Sequence, residues 1–178
     1  MPKNRLNKKW LQKPLRAGTI QTWLVDNGSL TARLKAKYSD FSVKPILLKN
    51  AKPLQDEAAL LRLKSQQHAL IREVLLMGNH QPVVFAHSVL PQKSLRGTWN
   101  NLGKLGNKPL GAALFSNPKV KRTPLAYQKL SPKHALYQHA SQYLAQKPAF
   151  LWARRSIFTL DCANIMVTEV FLPALLNT

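Results

Sequence analysis

An arginine stands among apolar residues in the segment from Leu70 to Leu76 (LIREVLL). If this segment is a strand, its period of two places Arg72 on the same face as Val74 and Leu76. Burying a guanidinium is costly unless a counter-charge meets it, so the pattern predicts a carboxylate partner from the protein or from a ligand. The alternative is an edge-strand arginine whose head group reaches water.

A glutamate near the C-terminus poses the opposite problem. Glu169 shares a strand face with Val167 and Phe171 in a chain that has only 7 acidic residues. One interpretation is a structural ion pair with one of three arginines, which are Arg72, Arg154 and Arg155. The other is that Arg72 and Glu169 line one desolvated cavity from two strands and hold opposite ends of a polar ligand.

A third feature lies between these strands, in the segment from Gly106 to Gly111 (GNKPLG). Pro109 fits the first position of a helix, where a missing N–H removes no helical hydrogen bond. The N–H groups that follow, including that of Leu110, would be free at a helix N-terminus, which is a natural anion site. On its own this motif is weak evidence for an anion site.

The histidines and the cysteine indicate no further chemistry. The five histidines lack metal-ligand spacing with acidic partners; they are His68, His80, His87, His134 and His139. Cys162 is the only cysteine and stands in a predicted turn without a neighbouring base, so it predicts neither a disulfide nor a nucleophile. A metal site is therefore not expected.

Strands joined by tight turns must position these residues. Strands are predicted at 41–48, 69–77, 83–90, 120–130, 150–160 and 165–172, and helices at 19–25, 29–37, 54–63, 109–115 and 131–146. Residues 69–90 and 150–172 each predict a β-hairpin, whereas Ser131 and Pro132 have the types preferred at a helix start. Together they predict an α+β fold built on an antiparallel sheet.

Length and charge limit the classes of function. Residues 1–16 are basic and show no hydrophobic pattern, so they are treated as an N-terminal segment. The length of 178 residues, 45% of them hydrophobic, predicts one globular domain over residues 17–178. A formal net charge of +20 attracts nucleic acid, lipid head groups and small carboxylates alike, but the lysines are dispersed, which disfavours a nucleic-acid-binding arm. No secretory signal or apolar span of about 20 residues is evident, and a single cysteine fits a reducing compartment. A soluble cytoplasmic protein is expected.

Three blocks of the sequence resemble the signature blocks of the chorismate pyruvate-lyase family, in the same order. They are Leu70 to Leu76, Leu105 to Phe115, and the ending made of Leu151 to Ser156 and Thr168 to Pro173. With Trp23-Leu24 and the turn from Gly28 to Thr31, the similarity extends over nearly the whole chain after the N-terminal segment.

The resemblance implies a six-stranded antiparallel sheet with helices packed on it and an internal ligand cavity closed by helical flaps. It also implies that chorismate is split into 4-hydroxybenzoate and pyruvate, without metal or organic cofactor, for ubiquinone biosynthesis. By position, Arg72 binds a ligand carboxylate and Glu169 holds the ring hydroxyl, so these two are the catalytic candidates. Leu110 contacts the ligand through its backbone, and Leu30, at the position of a methionine in the family, keeps an apolar contact with the ligand but changes its shape. The segment from Ser131 to Pro148 looks longer than in the shortest family members.

Two other classes of protein compete with the lyase. A related fold is the small-molecule sensing domain of bacterial winged-helix regulators, and a stand-alone copy would bind an aromatic acid without catalysis. The short segment before the similarity and the joint presence of Arg72 and Glu169 favour the enzyme. A nucleic-acid-binding protein is disfavoured because the strands lack an exposed aromatic and glycine stacking pattern. We expect a monomer that binds chorismate and 4-hydroxybenzoate, binds no nucleic acid, and has at most weak affinity for anionic membrane.

Overall fold

An antiparallel β-sheet forms the centre of the protein. The computed structural model describes residues 10–177, and within them seven strands pair in antiparallel fashion. They are β1 (Ser42–Ala51), β2 (Ala69–Gly78), β3 (Gln81–Pro91), β4 (Lys121–Arg122), β5 (Ala126–Leu130), β6 (Leu151–Leu160) and β7 (Ala163–Phe171). The order across the sheet is β1-β2-β3-β7-β6-β4, and β5 also pairs with β6. The predicted α+β class is confirmed, with seven strands where about six were expected.

Short helices lie before and between the strands. They are α1 (Gln21–Leu24), α2 (Leu30–Lys37), α3 (Gln55–Leu60), α4 (Gln92–Leu95), α5 (Leu110–Phe115) and α6 (Ala135–Ser141). The predicted cap of the second helix is confirmed, because the Ser29 hydroxyl accepts a hydrogen bond from the N–H of Ala32 at 3.3 Å.

Both predicted β-hairpins are present. Asn79 and His80 have positive φ angles of 50° and 58°, as a two-residue hairpin turn requires. The carboxylate of Asp40 accepts hydrogen bonds from both of their N–H groups, at 2.8 and 2.7 Å. Asp161 and Cys162 form the corresponding turn between β6 and β7, with φ angles of 47° and 64°. The two hairpins place β2, β3, β7 and β6 side by side in the middle of the sheet.

The middle of the sheet is covered on both faces. Val74 and Leu76 of β2 belong to a core cluster with residues of α1 and α2, whereas Leu75 belongs to a cluster with residues of α6. Successive side chains of a strand point to opposite faces, so both faces of β2 are buried. Two adjacent charged residues, Arg72 and Glu73, are consequently buried on opposite sides of the sheet.

Several predicted bounds are wrong, and three of the differences concern prolines or helix caps. The strand expected over 120–130 is divided at Pro124 into β4 and β5, because proline cannot donate to the ladder. Pro109 is the N-terminal cap of α5 and not its first residue. The helix expected over 131–146 spans only Ala135–Ser141, because Ser131 closes a turn with the N–H of His134 and the His134 ring caps the helix at Leu136.

The described part of the N-terminal segment contacts the domain. The indole of Trp10 is buried and donates to the Asp56 carboxylate at 3.2 Å, and Leu11 pairs with Tyr127 through two backbone hydrogen bonds. The rest of the predicted basic segment, residues 1–9, lies outside the described residues. Among the helices of residues 10–177, none is long and apolar enough to cross a membrane.

Candidate functional site

One pocket lies between the sheet and the helices α2 and α5. The strands β2, β3, β6 and β7 form its floor, and the two helices form its cover. All four residues that the sequence analysis singled out for ligand binding line it: Leu30, Arg72, Leu110 and Glu169. The structure therefore brings together residues that are up to 139 positions apart in the sequence.

The pocket is contracted. Its free volume is about 40 Å³, whereas one water molecule needs roughly 10 to 15 Å³. Gly111 of α5 lies close to Thr31 of α2, since a β-carbon on Gly111 would stand 3.1 Å from the Thr31 hydroxyl. The absence of a side chain at Gly111 allows this close closure.

Arg72 extends from β2 into this pocket and is only 6% exposed, so the alternative in which it reaches water is wrong. Its Nη2 donates to the carbonyl oxygens of Gly106 and Lys108 at 3.0 and 2.9 Å. Gly106 has a φ of +52°, a conformation that glycine adopts at little cost. Burial lowers the pKa of Arg72. In the described part of the chain no carboxylate forms an ion pair with this guanidinium.

Glu169 extends from β7, where it forms an ion pair and also lines the pocket. Its Oε2 accepts a hydrogen bond from Nε of Arg154 at 2.5 Å, which is the structural ion pair. Its side chain is nevertheless 15% exposed and lines the same pocket as Arg72. The ion pair therefore fixes the carboxylate in place at the pocket wall.

Arg154 is almost fully buried behind Glu169. Its Nη1 donates to three carbonyl oxygens at the end of α1 and beyond it, those of Trp23, Leu24 and Asp26, at 3.0, 3.3 and 2.5 Å. These carbonyls are the acceptors that a helix leaves unpaired at its C-terminus. Arg154 thus joins α1 to the sheet and positions Glu169 at the same time.

Leu110 and Leu30 each begin a helix that covers the pocket. Leu110 is the first residue of α5, so its N–H lies in the turn that has no partner within the helix. Leu30 is the first residue of α2, directly after the cap at Ser29, and both leucines are at least 94% buried. The two helix starts line the same pocket as the arginine on β2.

Arg122 is a pocket residue that the sequence analysis missed. Its Nε donates to the Ser156 hydroxyl at 2.8 Å, and its Nη1 donates to the carbonyl of Asn27 at 3.0 Å. The guanidinium also lies over the rings of Phe115 and Phe158, at 5.4 and 5.0 Å. Burial lowers the pKa of Arg122. The sequence offered only one signal, a basic residue in a strand-like run, and that signal does not reveal a pocket.

A second buried polar cluster lies on the opposite face of the sheet, and the sequence analysis missed it too. Nδ1 of His87 lies 2.9 Å from Oε1 of Glu73, and Nε2 lies 3.2 Å from Oε1 of Glu57. His139 of α6 also contacts Glu73, at 2.8 Å. Burial alone would lower the pKa of His87, but the hydrogen bonds and charges of the two glutamates raise it to about 9. The cluster ties α3 and α6 to the sheet. No group of His, Cys, Asp and Glu within residues 10–177 is arranged to hold a metal ion.

Comparison with known proteins gives matches along nearly the whole chain. The family described as chorismate lyase matches residues 5–178. Proteins named "Probable chorismate pyruvate-lyase" are 43% identical in Methylobacillus flagellatus, over 97% of both chains, and 50% identical in Nitrosospira multiformis, over 87% of both chains. A third, in Nitrosomonas europaea, is 46% identical over 93% of this chain and 94% of its own.

Solved structures with a similar fold come from transcriptional regulators. A regulator of the GntR family from Bacillus cereus superposes with a TM-score of 0.58 at 12% identity, covering 78% of this chain and 96% of its own. The effector domain of PhnF from Mycobacterium smegmatis gives 0.57 at 15% identity, over 83% and 90%. At such low identity the likeness is one of fold.

Proposed function

The chain belongs to the chorismate lyase family, and on that premise we propose that its pocket holds chorismate between Arg72 and Glu169 during cleavage. The activity is that of a chorismate pyruvate-lyase, which converts chorismate into 4-hydroxybenzoate and pyruvate. One observation supports the site above all. Arg72 is a buried cation that has no carboxylate partner in the described residues, and it shares a pocket with Glu169.

The proposed pose follows from the shape of the substrate. Chorismate carries a ring carboxylate and, at the opposite end of the ring, a hydroxyl group. Arg72 pairs with the ring carboxylate, since Nε and Nη1 make no hydrogen bond within residues 10–177. The N–H of Leu110 donates to the same group, Glu169 accepts a hydrogen bond from the hydroxyl, and Leu30 packs against the ring. A cation and a carboxylate at opposite ends fix the ring in one orientation.

The chemistry requires mainly positioning. The bond between ring C3 and the ether oxygen breaks, the hydrogen on C4 leaves, and the enolpyruvyl methylene becomes the methyl group of pyruvate. Because the ring becomes aromatic, the step is strongly downhill and needs no metal or organic cofactor. We favour direct transfer of the C4 hydrogen to the methylene inside the bound substrate, with Arg72 stabilising developing charge. Glu169 as a general base is the competing mechanism.

Entry of the substrate requires opening of the cover. The pocket has room for only a few water molecules, so α2 and α5 must separate before a ring can enter and must close again over it. Closure removes water from the site and strengthens the contacts of Arg72 with the ligand. The contact between Gly111 and Thr31 is the place where the two helices meet.

Kinetics of the wild type and of Arg72→Ala test the proposal. Purified protein is mixed with chorismate while ultraviolet absorbance and pyruvate are followed. Truncating a buried partner of a charge-assisted contact costs about 2 to 5 kcal/mol, which corresponds to a loss of roughly 30- to 5,000-fold in kcat/KM. Arg96→Ala removes an exposed arginine after α4 and is the matched control. A folded Arg72→Ala protein with normal kcat/KM would remove Arg72 from the site.

The non-catalytic sensor remains the weaker candidate. Its support is a likeness of fold to regulators at 12–15% identity, whereas the relatives named as lyases are 43–50% identical. We propose further that the enzyme acts as a monomer in the cytoplasm and delivers 4-hydroxybenzoate to ubiquinone synthesis, with at most weak association with anionic membrane.

A further inference from the structure

The charges that line the pocket do not cancel. Arg72, Arg122 and Glu169 all line it, and Glu169 is already paired with Arg154 behind the wall. Two positive charges are thus left without a carboxylate in the described residues. Chorismate is a dianion, with one carboxylate on the ring and a second on the enolpyruvyl group. The proposed pose uses Arg72 for the first of these and assigns no partner to the second.

The register of the sheet defines a row of four residues that begins at Arg72, and the head group of Arg122 reaches the other end of this row. Arg72 pairs with Ser88, Ser88 pairs with Val167, and Val167 pairs with Ser156. These four residues of the row all line the pocket. The row crosses three strand spacings, or about 14 Å at the backbone. Nε of Arg122 is bonded to the Ser156 hydroxyl, so its head group reaches the far end of the row that Arg72 begins.

Neutral contacts hold Arg122 in this position. Its Nε and Nη1 are bonded to a hydroxyl and a carbonyl, and two phenyl rings lie near the guanidinium. Within residues 10–177 its Nη2 makes no hydrogen bond. An oriented guanidinium with a free donor and without a carboxylate partner is suited to bind an anionic ligand group.

We propose that Arg122 binds the enolpyruvyl carboxylate of chorismate, the carboxylate that departs with pyruvate. This assignment rests on the proposed function and extends it to a second anion subsite. Arg72 then holds the end of the ligand that substrate and product share, and Arg122 holds the end that only the substrate has. The two arginines therefore differ in a measurable way, because 4-hydroxybenzoate has no group for Arg122.

Substitution of Arg122 separates substrate binding from product binding. Arg122→Gln is expected to lower kcat/KM for chorismate on the order of 100-fold, while the Kd of 4-hydroxybenzoate changes by less than about threefold. Arg122→Lys is expected to recover part of the loss, because it restores the positive charge. Arg72→Ala is expected to weaken the binding of both chorismate and 4-hydroxybenzoate.

Lys121→Gln is the matched control. It removes one positive charge from the neighbouring position of β4, where the side chain is exposed, and both parameters are expected to stay near the wild-type values. If Arg122→Gln does not fold, as judged by circular dichroism, the same two measurements on Arg122→Lys replace it; a change in substrate efficiency without a change in product affinity then supports the subsite.

The assignment fails in two cases. One is normal kcat/KM in a folded Arg122→Gln protein, and the other is an equal loss of affinity for chorismate and 4-hydroxybenzoate, which indicates that Arg122 only supports the pocket wall. Both outcomes leave an active wild-type enzyme. A wild-type protein that releases no pyruvate from chorismate would instead overturn the proposed function.

Discussion

The buried histidine on the far side of the sheet makes the stability of the fold depend on pH. Hydrogen bonds and charges of Glu57 and Glu73 outweigh the effect of burial and raise the pKa of His87 to about 9. In the unfolded chain an imidazole titrates with a pKa near about 6.5. The folded protein therefore binds this proton more tightly. The stabilisation is complete below about pH 6.5, decreases as the pH rises, and is lost above about pH 9.

The size of the effect follows from the two pKa values. They differ by about 2.5 units, and each unit corresponds to about 1.4 kcal/mol, so the protonated ring contributes about 3 kcal/mol to the free energy of unfolding. His87 is only 5% exposed, so solvent screens the interaction little. Natural domains have a free energy of unfolding of roughly 5 to 15 kcal/mol, so a loss of about 3 kcal/mol is large.

Urea unfolding at several pH values from about 6.5 to about 9.5 measures this loss. His87→Gln removes the titrating ring, and in the upper part of this range its stability is expected to be nearly constant while that of the wild type falls. The variant is also expected to be less stable throughout, because two carboxylates lose their buried cation. His68→Gln removes an exposed histidine before β2 and should keep the wild-type slope.

An NMR titration of the His87 ring in the wild type is an independent measurement that does not require a folded variant. It should show the ring protonated at neutral pH. A ring that titrates near pH 6.5, or a wild-type stability that stays constant or increases over this range, would refute the reasoning. His139 approaches Glu73 from α6 and is about half exposed, so its ring must be resolved separately.

Two further predictions concern catalysis. Glu169→Gln should keep substantial turnover, because glutamine retains a hydrogen-bond acceptor for Arg154 and for the ring hydroxyl. When the wild-type enzyme acts in deuterated water, the pyruvate it forms should at first carry an unlabelled methyl group. An inactive but folded variant together with immediate deuterium incorporation would instead make Glu169 the base. Because a net charge of +20 attracts a dianion, kcat/KM should fall as the salt concentration rises while kcat changes little. A kcat/KM that is independent of salt would show that the lysines do not steer the substrate.

The sequence predicted those parts of the fold whose information is local. The hairpin turns at Asn79-His80 and Asp161-Cys162 lie between apolar runs, and both hairpins were found where predicted. Arg72 and Glu169 were detectable because each violates the apolar pattern of its own strand. Ser131 and Pro132 have suitable types for a helix start, but the helix starts later because His134 provides the cap.

The missed residues depend on contacts between distant elements. Arg122 lies in a two-residue strand, and its place in the pocket is set by Ser156 and Phe158 of β6 and by Phe115 of α5. The cluster around His87 likewise combines α3, β2, β3 and α6. No periodicity within one segment reports such a meeting of side chains. For the same reason the pattern of β2 could place Arg72 on an apolar face without showing what that face contacts.

The scarcity of acidic residues gives the pocket its charge. The chain has only 7, and six of them already have a partner within the fold. These partners are Arg33 for Asp26, the turn N–H groups for Asp40, Arg155 for Asp56, His87 for Glu57 and Glu73, and Arg154 for Glu169. The seventh, Asp161, lies in the exposed turn between β6 and β7.

Neither arginine that opens into the pocket therefore receives a carboxylate from the described chain. Arg72 is buried and Arg122 is partly buried, so each guanidinium is unfavourable without a counter-charge, and an anionic ligand lowers that cost. A dianion compensates both arginines, whereas a monoanionic product leaves Arg122 without a partner again. The distribution of a few carboxylates over the fold thus favours the substrate over the aromatic product at one end of the pocket.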